Sequence, residues 1–156
     1  MNRQIEQACA AFRTLLEEQL ARAESIAETS AQMAEKEKTV IGLIDGDGIG
    51  PILIEQAERV LSALLADEIA AGKIELRRID GLTIERRQAL GQAVPEDTLA
   101  AIKACDVLLK GPTTTPKGGT LESANVALRR ELDLYANVRP VKIPDKGIDW
   151  VFYREN

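Results

Sequence analysis

Five residues in the last third of the chain have the chemistry to hold a small polyanion: Ser123, Asn125, Arg129, Arg139 and Arg154. Ser123 falls at the N-cap position of an expected helix, where its hydroxyl and the open N–H groups behind it can receive a carboxylate. Asn125 and Arg129 are four apart and so share one face of that helix, whereas Ala124, Leu128, Leu132 and Tyr135 form its apolar side. Arg139 opens a following strand and Arg154 closes the next. Three guanidiniums that keep their charge, with a hydroxyl and an amide, suit a small polycarboxylate gripped by bidentate pairs. Spacing alone leaves a second reading open, in which these arginines form surface salt bridges with Glu131 and Asp133.

Two loops could add to such a site. The stretch Lys110-Gly111-Pro112-Thr113-Thr114-Thr115-Pro116-Lys117-Gly118-Gly119 follows an expected strand, at the edge where open α/β sheets bind ligands. Lys110 and Thr114 are placed there to contact an anionic substrate or a cofactor, although turn propensity accounts for the same composition. The turn Gly46-Asp47-Gly48-Ile49-Gly50 also joins a strand to a helix, as dinucleotide cradles do. Its spacing is GxGxG rather than GxGxxG, Pro51 removes an N–H donor, and Asp45 and Asp47 would confront any phosphate. It therefore reads as a tight turn.

Composition removes several classes of chemistry. The 156 residues contain no histidine, so His-based triads, imidazole acid/base steps and His-rich zinc sites are excluded. Twenty basic against 25 acidic residues give a net charge of −5 with no Lys/Arg block, which argues against nucleic-acid binding. Cys9 and Cys105 lack CxxC spacing, and neither a signal-peptide layout nor a membrane-length apolar run is seen. The expectation is a reduced, cytoplasmic protein without a membrane partner.

The elements that must position these residues follow from periodicity. From Asn2 to about Ala34 the residues Ile5, Cys9, Phe12, Leu16, Ala23 and Ile26 step by four and three, with Gln19 at one seam position, and predict a long amphipathic helix. Leu15 and Leu20 widen its stripe, so it serves either as a helix packed on its own domain or as a subunit-pairing helix. Thr39–Ile44 predicts a strand, followed by a helix with Pro51 in its first turn and Leu53, Ala57, Val60, Leu61 and Leu64 on its apolar stripe. Strands over 74–79 and 106–110, the latter read as buried, alternate with helices over 84–90 and 96–104. After a helix over 124–134 come strands near 136–141 and 149–153. This alternation predicts an α/β domain with a largely parallel sheet.

Four segments in order, Asp45-Gly46-Asp47-Gly48-Ile49-Gly50-Pro51, Leu109-Lys110-Gly111-Pro112, Asn125-Val126-Ala127-Leu128-Arg129-Arg130-Glu131-Leu132-Asp133-Leu134-Tyr135-Ala136-Asn137-Val138-Arg139-Pro140 and Arg154-Glu155-Asn156, resemble the isocitrate/isopropylmalate dehydrogenase family. The long third block is the most specific. The resemblance runs from about Thr39 to the last residue and leaves the N-terminal helix outside the shared core.

The resemblance implies that family's α/β fold: 1–38 as a helical extension, 39–135 as the first part of a large domain, and 136–156 as the start of a small one. It implies oxidative decarboxylation of a 2-hydroxy acid with NAD, or alternatively NADP, and with Mg2+ or Mn2+. By position, Arg129, Arg139 and Arg154 would clamp substrate carboxylates. Ser123 and Asn125 would take the carboxylate that distinguishes isocitrate, and Lys110 and Thr114 would lie beside substrate and nicotinamide. The isopropylmalate branch tends to be apolar at the Ser123 and Asn125 positions, which favours a tricarboxylate. Glu122 stands where many isocitrate enzymes are basic, which leaves homoisocitrate and 3-isopropylmalate as alternatives. A homodimer or higher homo-oligomer is implied for the full-length protein. The family's catalytic tyrosine and lysine and its metal-binding aspartates are expected beyond Asn156, so no catalytic or metal residue is assigned within this chain. The chain is accordingly expected to be the N-terminal part of a longer enzyme and inactive alone. The other expectation is a short non-catalytic subunit docking on a full-length homologue.

Overall fold

Residues 2–156 are described by the computed structural model, with side chains throughout except over 27–34. The chain divides into two units, Met1–Glu37 and Lys38–Asn156.

The first unit is built on α1 (Arg3–Ala34), whose sequence contains no glycine or proline to interrupt it. Ile5, Phe12, Leu15, Leu16, Leu20 and Ile26 are all at least half exposed.

In the second unit, β1 (Thr39–Ile44) is the central strand of a three-stranded parallel sheet ordered β2-β1-β3. It pairs with β2 (Ile74–Arg78) from Thr39↔Ile74 to Leu43↔Arg78 and with β3 (Val107–Lys110) from Ile41↔Val107 to Ile44↔Lys110. The crossovers run through helices, as parallel pairing requires: α2 (Gly50–Leu64) and α3 (Ala66–Ala70) lead to β2, and α4 (Ile84–Leu90) and α5 (Glu96–Lys103) lead to β3. β3 is an edge strand with half-exposed residues rather than the buried strand its apolar run suggests, because only β1 pairs with it. On α2 the buried side chain is Ile54, while Leu53, Val60 and Leu64 are exposed, so the expected stripe is rotated.

Ile44, Ile79, Leu82 and Ile102 meet Ala124 and Leu128 of α6 (Ala124–Glu131) in one core cluster. That contact fixes the outward face of α6 relative to the sheet. The helix stops at Glu131, three residues earlier than its periodicity predicts, and Asp133 takes φ 50° just beyond it. Tyr135 is therefore off the helix and exposed. β4 (Ala136–Ile143) and β5 (Ile148–Glu155) then form an antiparallel hairpin through a 3-10 turn at Pro144–Lys146 and Gly147 at φ 63°. No described helix is long and apolar enough to cross a membrane.

Candidate functional site

The carboxyl ends of β1 and β3 lie side by side, so the two loops that follow them pack directly on each other. Gly46 is held at φ 70°, and a Cβ there would stand 2.0 Å from the Pro112 carbonyl oxygen. A Cβ on Gly111 would stand 2.0 Å from the Asp45 carbonyl oxygen. The glycines thus serve close approach of one backbone to another, which accords with reading this segment as a turn rather than a phosphate cradle.

Asp47 is the pin of this junction. Its backbone N–H donates to the Pro112 carbonyl at 2.7 Å. Its buried carboxylate accepts from the Ile84 N–H at 2.7 Å, and from the Thr114 N–H at 2.6 Å. Arg87 completes the clamp from α4. Fully buried, it donates Nε–H to the Ala93 carbonyl at 2.7 Å and its two terminal nitrogens to the carbonyls of Thr114 at 2.8 Å and Glu122 at 3.0 Å. Both ends of the loop between β3 and α6 are therefore tied to one guanidinium. Sequence reasoning missed this residue, because Glu85-Arg86-Arg87 reads as a solvated charge run. The available signal was that Arg87 lies three residues after Ile84, on the inward side of a short helix.

The residues singled out by the sequence fall into two groups. Lys110 ends β3, and its ammonium donates to the Gly111 carbonyl at 2.6 Å and to the Thr113 hydroxyl at 3.4 Å. Thr113 in turn donates to the side-chain oxygen of Asn125 at 3.4 Å. Half-burial pushes the Lys110 pKa down, with Asp47 opposing the shift and Arg87 adding to it. Within this cluster Thr113, rather than Thr114, supplies the bridging hydroxyl; Thr114 bonds through its main chain, its carbonyl to Arg87 and its N–H to Asp47. Ser123 caps α6 without spending its hydroxyl on the cap, because its side chain makes no capping bond there.

The three arginines form the second group. Arg129 is exposed on α6. Asn137↔Arg154 and Arg139↔Phe152 are cross-strand partners, so Arg139 and Arg154 are diagonal neighbours on one face of the hairpin. Asn156 holds that end of the hairpin to its start, its N–H and side-chain amide donating to the carbonyls of Tyr135 at 3.2 Å and Leu134 at 3.0 Å. Arg130, not one of these three, takes the nearby carboxylates, reaching Glu122 at 2.7 and 3.0 Å and Glu131 at 3.4 Å. Among the described residues, Arg139 donates only to the Asn137 amide oxygen, at 2.9 Å. Among the described residues, no carboxylate forms a salt bridge with Arg129, Arg139 or Arg154. The alternative of salt bridges with Glu131 and Asp133 therefore fails for Glu131, which is spent on Arg130.

Residues 39–155 match the family model described as isocitrate/isopropylmalate dehydrogenase. The chain belongs to the isocitrate/isopropylmalate dehydrogenase family. An isocitrate dehydrogenase [NADP] of Caldococcus noboribetus is 43% identical over 129 residues, covering 75% of this chain and 29% of the relative. That of Archaeoglobus fulgidus is 39% identical over 143 residues, covering 85% and 34%. Among solved structures, a beta-decarboxylating dehydrogenase of Thermococcus kodakarensis aligns with TM-score 0.63 at 35% identity, covering 76% of this chain and 34% of that one. The chain spans about a third of the length of these relatives. Within this family member, the described residues contain no group of three or more His, Cys, Asp or Glu side chains able to hold a metal ion. The divalent cation implied by the resemblance thus has no complete ligand set among them.

Proposed function

We propose that this chain supplies the substrate-binding surface of an enzyme that oxidatively decarboxylates isocitrate to 2-oxoglutarate with a nicotinamide dinucleotide. The observation carrying this reading is that Arg129, Arg139 and Arg154 have no carboxylate partner among the described residues, while neighbouring Arg130 is fully engaged. Guanidiniums left open on a folded scaffold favour an external polycarboxylate. The Ser123 hydroxyl and the Asn125 amide at the start of α6 take the third carboxylate, and the helix N-terminus adds its partial positive charge. Lys110 and Thr114 lie beside the substrate and the nicotinamide, with Lys110 held by its bonds to Gly111 and Thr113.

NADP has the support of the relatives' names, in place of the NAD first expected. The metal and the proton-transferring groups come from the remainder of a longer, cytoplasmic protein that assembles as a homodimer or higher homo-oligomer. On this reading 39–135 is the first part of its large domain, 136–156 the start of the small one and 1–38 an extension.

The test uses the longer polypeptide that carries this segment, assayed for isocitrate-dependent NADP reduction with Mg2+. Arg129→Ala is expected to lower kcat/KM by about 10- to 150-fold, the loss of one charge-assisted pair worth about 1.5–3 kcal/mol. An unchanged kcat/KM, or turnover of 3-isopropylmalate in preference to isocitrate, would sink the assignment.

A further inference from the structure

We propose that α1 is a self-association element: two copies of this chain pair through Ile5–Ile26 as a parallel, in-register coiled coil. Ile5, Cys9, Phe12, Leu16, Gln19, Ala23 and Ile26 alternate steps of four and three across three heptads, with no glycine or proline between them. A sustained period of 3.5 rather than 3.6 keeps one seam facing a partner helix along its whole length. The large apolar members of that seam, Ile5, Phe12, Leu16 and Ile26, are between 50% and 59% exposed.

Three further observations select a second copy as the occupant. The first concerns Leu15 and Leu20, which lie beside the seam and are 50% and 61% exposed. With Leu16 at an a position, Leu15 is a g residue and Leu20 an e residue of the following heptad. A parallel, in-register pair brings that g into contact with that e of the other helix, so Leu15 of each copy packs on Leu20 of its partner and both flanks are covered. In an antiparallel pair g meets g and e meets e, and the match between 15 and 20 is lost. Second, Gln19 occupies a d position. An identical, in-register helix sets amide against amide, each with a donor and an acceptor, whereas an apolar partner would leave it unsatisfied. A single polar residue on the seam is also the known device for fixing register. Third, the flanks carry no like-charged match: Ala8, a g residue, faces Arg13.

The area is adequate. Six large apolar side chains at least half exposed offer roughly 600 Å² per copy, so two copies exceed the ~1,000 Å² that a specific interface requires.

Cys9 supplies the readout. It is free, exposed and at an a position, where parallel in-register pairing brings the two Cys9 residues within disulfide reach. The 156-residue chain is oxidised with diamide at low micromolar concentration, and the linked peptides are mapped by mass spectrometry. The Cys9–Cys9 disulfide is expected to form at least tenfold faster than the corresponding link in Cys9→Ala/Glu17→Cys, whose thiol sits on the outward b position. Leu16→Lys, placed on the exposed seam, is expected to remove that advantage. Association through any other surface raises both rates alike. Equal rates at the two positions, or an advantage that survives Leu16→Lys, would overturn the proposal.

Discussion

Each of the three guanidinium nitrogens of Arg87 donates to a main-chain carbonyl, so its charge is compensated by dipoles at fixed positions rather than by a contacting carboxylate. Burial lowers its pKa, with the Asp47 carboxylate opposing the shift, and a guanidinium stays protonated across the working pH range regardless. Removing it would strand three carbonyls and leave a cavity. Arg87→Ala is therefore expected to destabilise the chain by about 3–5 kcal/mol, read from urea unfolding, and to expose the 112–122 loop to protease. Arg87→Lys should recover little, because one ammonium cannot span carbonyls from three separate segments. A variant as stable as the parent would show that the clamp holds nothing. Such a residue was not legible from the sequence, where neighbouring Arg86 and Arg87 look alike. Arg86 reaches outward to Asp97, and only the helical phase separates the two. The placement of Ser123 at the N-cap of α6 and of Asn125 and Arg129 along it was legible, since N-cap position and four-residue spacing are local properties, whereas the bridging role of Thr113 depends on where α6 packs.

At the scale of elements, local pattern specified type and order, while pairing decided exposure. β1 and β3 were recognisable as aliphatic runs and β2 by the alternation of Ile74 and Leu76 with charged residues, all separated by helices, but the edge position of β3 follows from sheet order, which no run of four residues encodes. The rotated face of α2 has the same origin: several apolar faces are available on GPILIEQAERVLSAL, and the sheet covers only the one centred on Ile54. β2 carries a charged contribution that can be measured. Glu75 is held at about 2, below its ordinary 4.5, first by the hydrogen bond from Arg77 and then by that from Lys38. A carboxyl whose folded pKa is depressed stabilises the fold fully above about 4.5 and loses that contribution as pH falls through about 2. NMR titration of the Glu75 carboxyl carbon should give a midpoint near 2, and Arg77→Gln should move it toward 4.5. The stability of Glu75→Gln should fall less than the parent's over the same window. The site is exposed, so the difference will be small, and a Glu75 midpoint at its ordinary value would dispose of the pairing.

At the scale of the whole molecule, apolar surface is concentrated away from the sheet core. Val138, Val141, Ile143, Trp150, Val151, Phe152 and Tyr153 of the hairpin are all exposed, between 39% and 73%. Both faces are represented, since register places Val141, Phe152 and Trp150 with Arg139 and Arg154 on one side and Val138, Val151 and Tyr153 on the other. Trp150 and Phe152 meet edge to face at 6.1 Å, which orders the rings without covering them. Large apolar side chains exposed on both faces of a hairpin mark it as a surface for further packing, and relatives about three times as long have the residues to supply it. Trp150 is the only tryptophan, so its emission reports on this face alone. In the 156-residue chain it should emit at the red, solvated end of the indole range and be quenched by iodide, in keeping with its 59% exposure. In the longer polypeptide proposed above, with any further tryptophan replaced by phenylalanine so that Trp150 alone emits, the emission should shift to the blue and iodide quenching should fall. Identical spectra in the two proteins would mean that the hairpin stays bare, and the small domain would then have to be built on other residues.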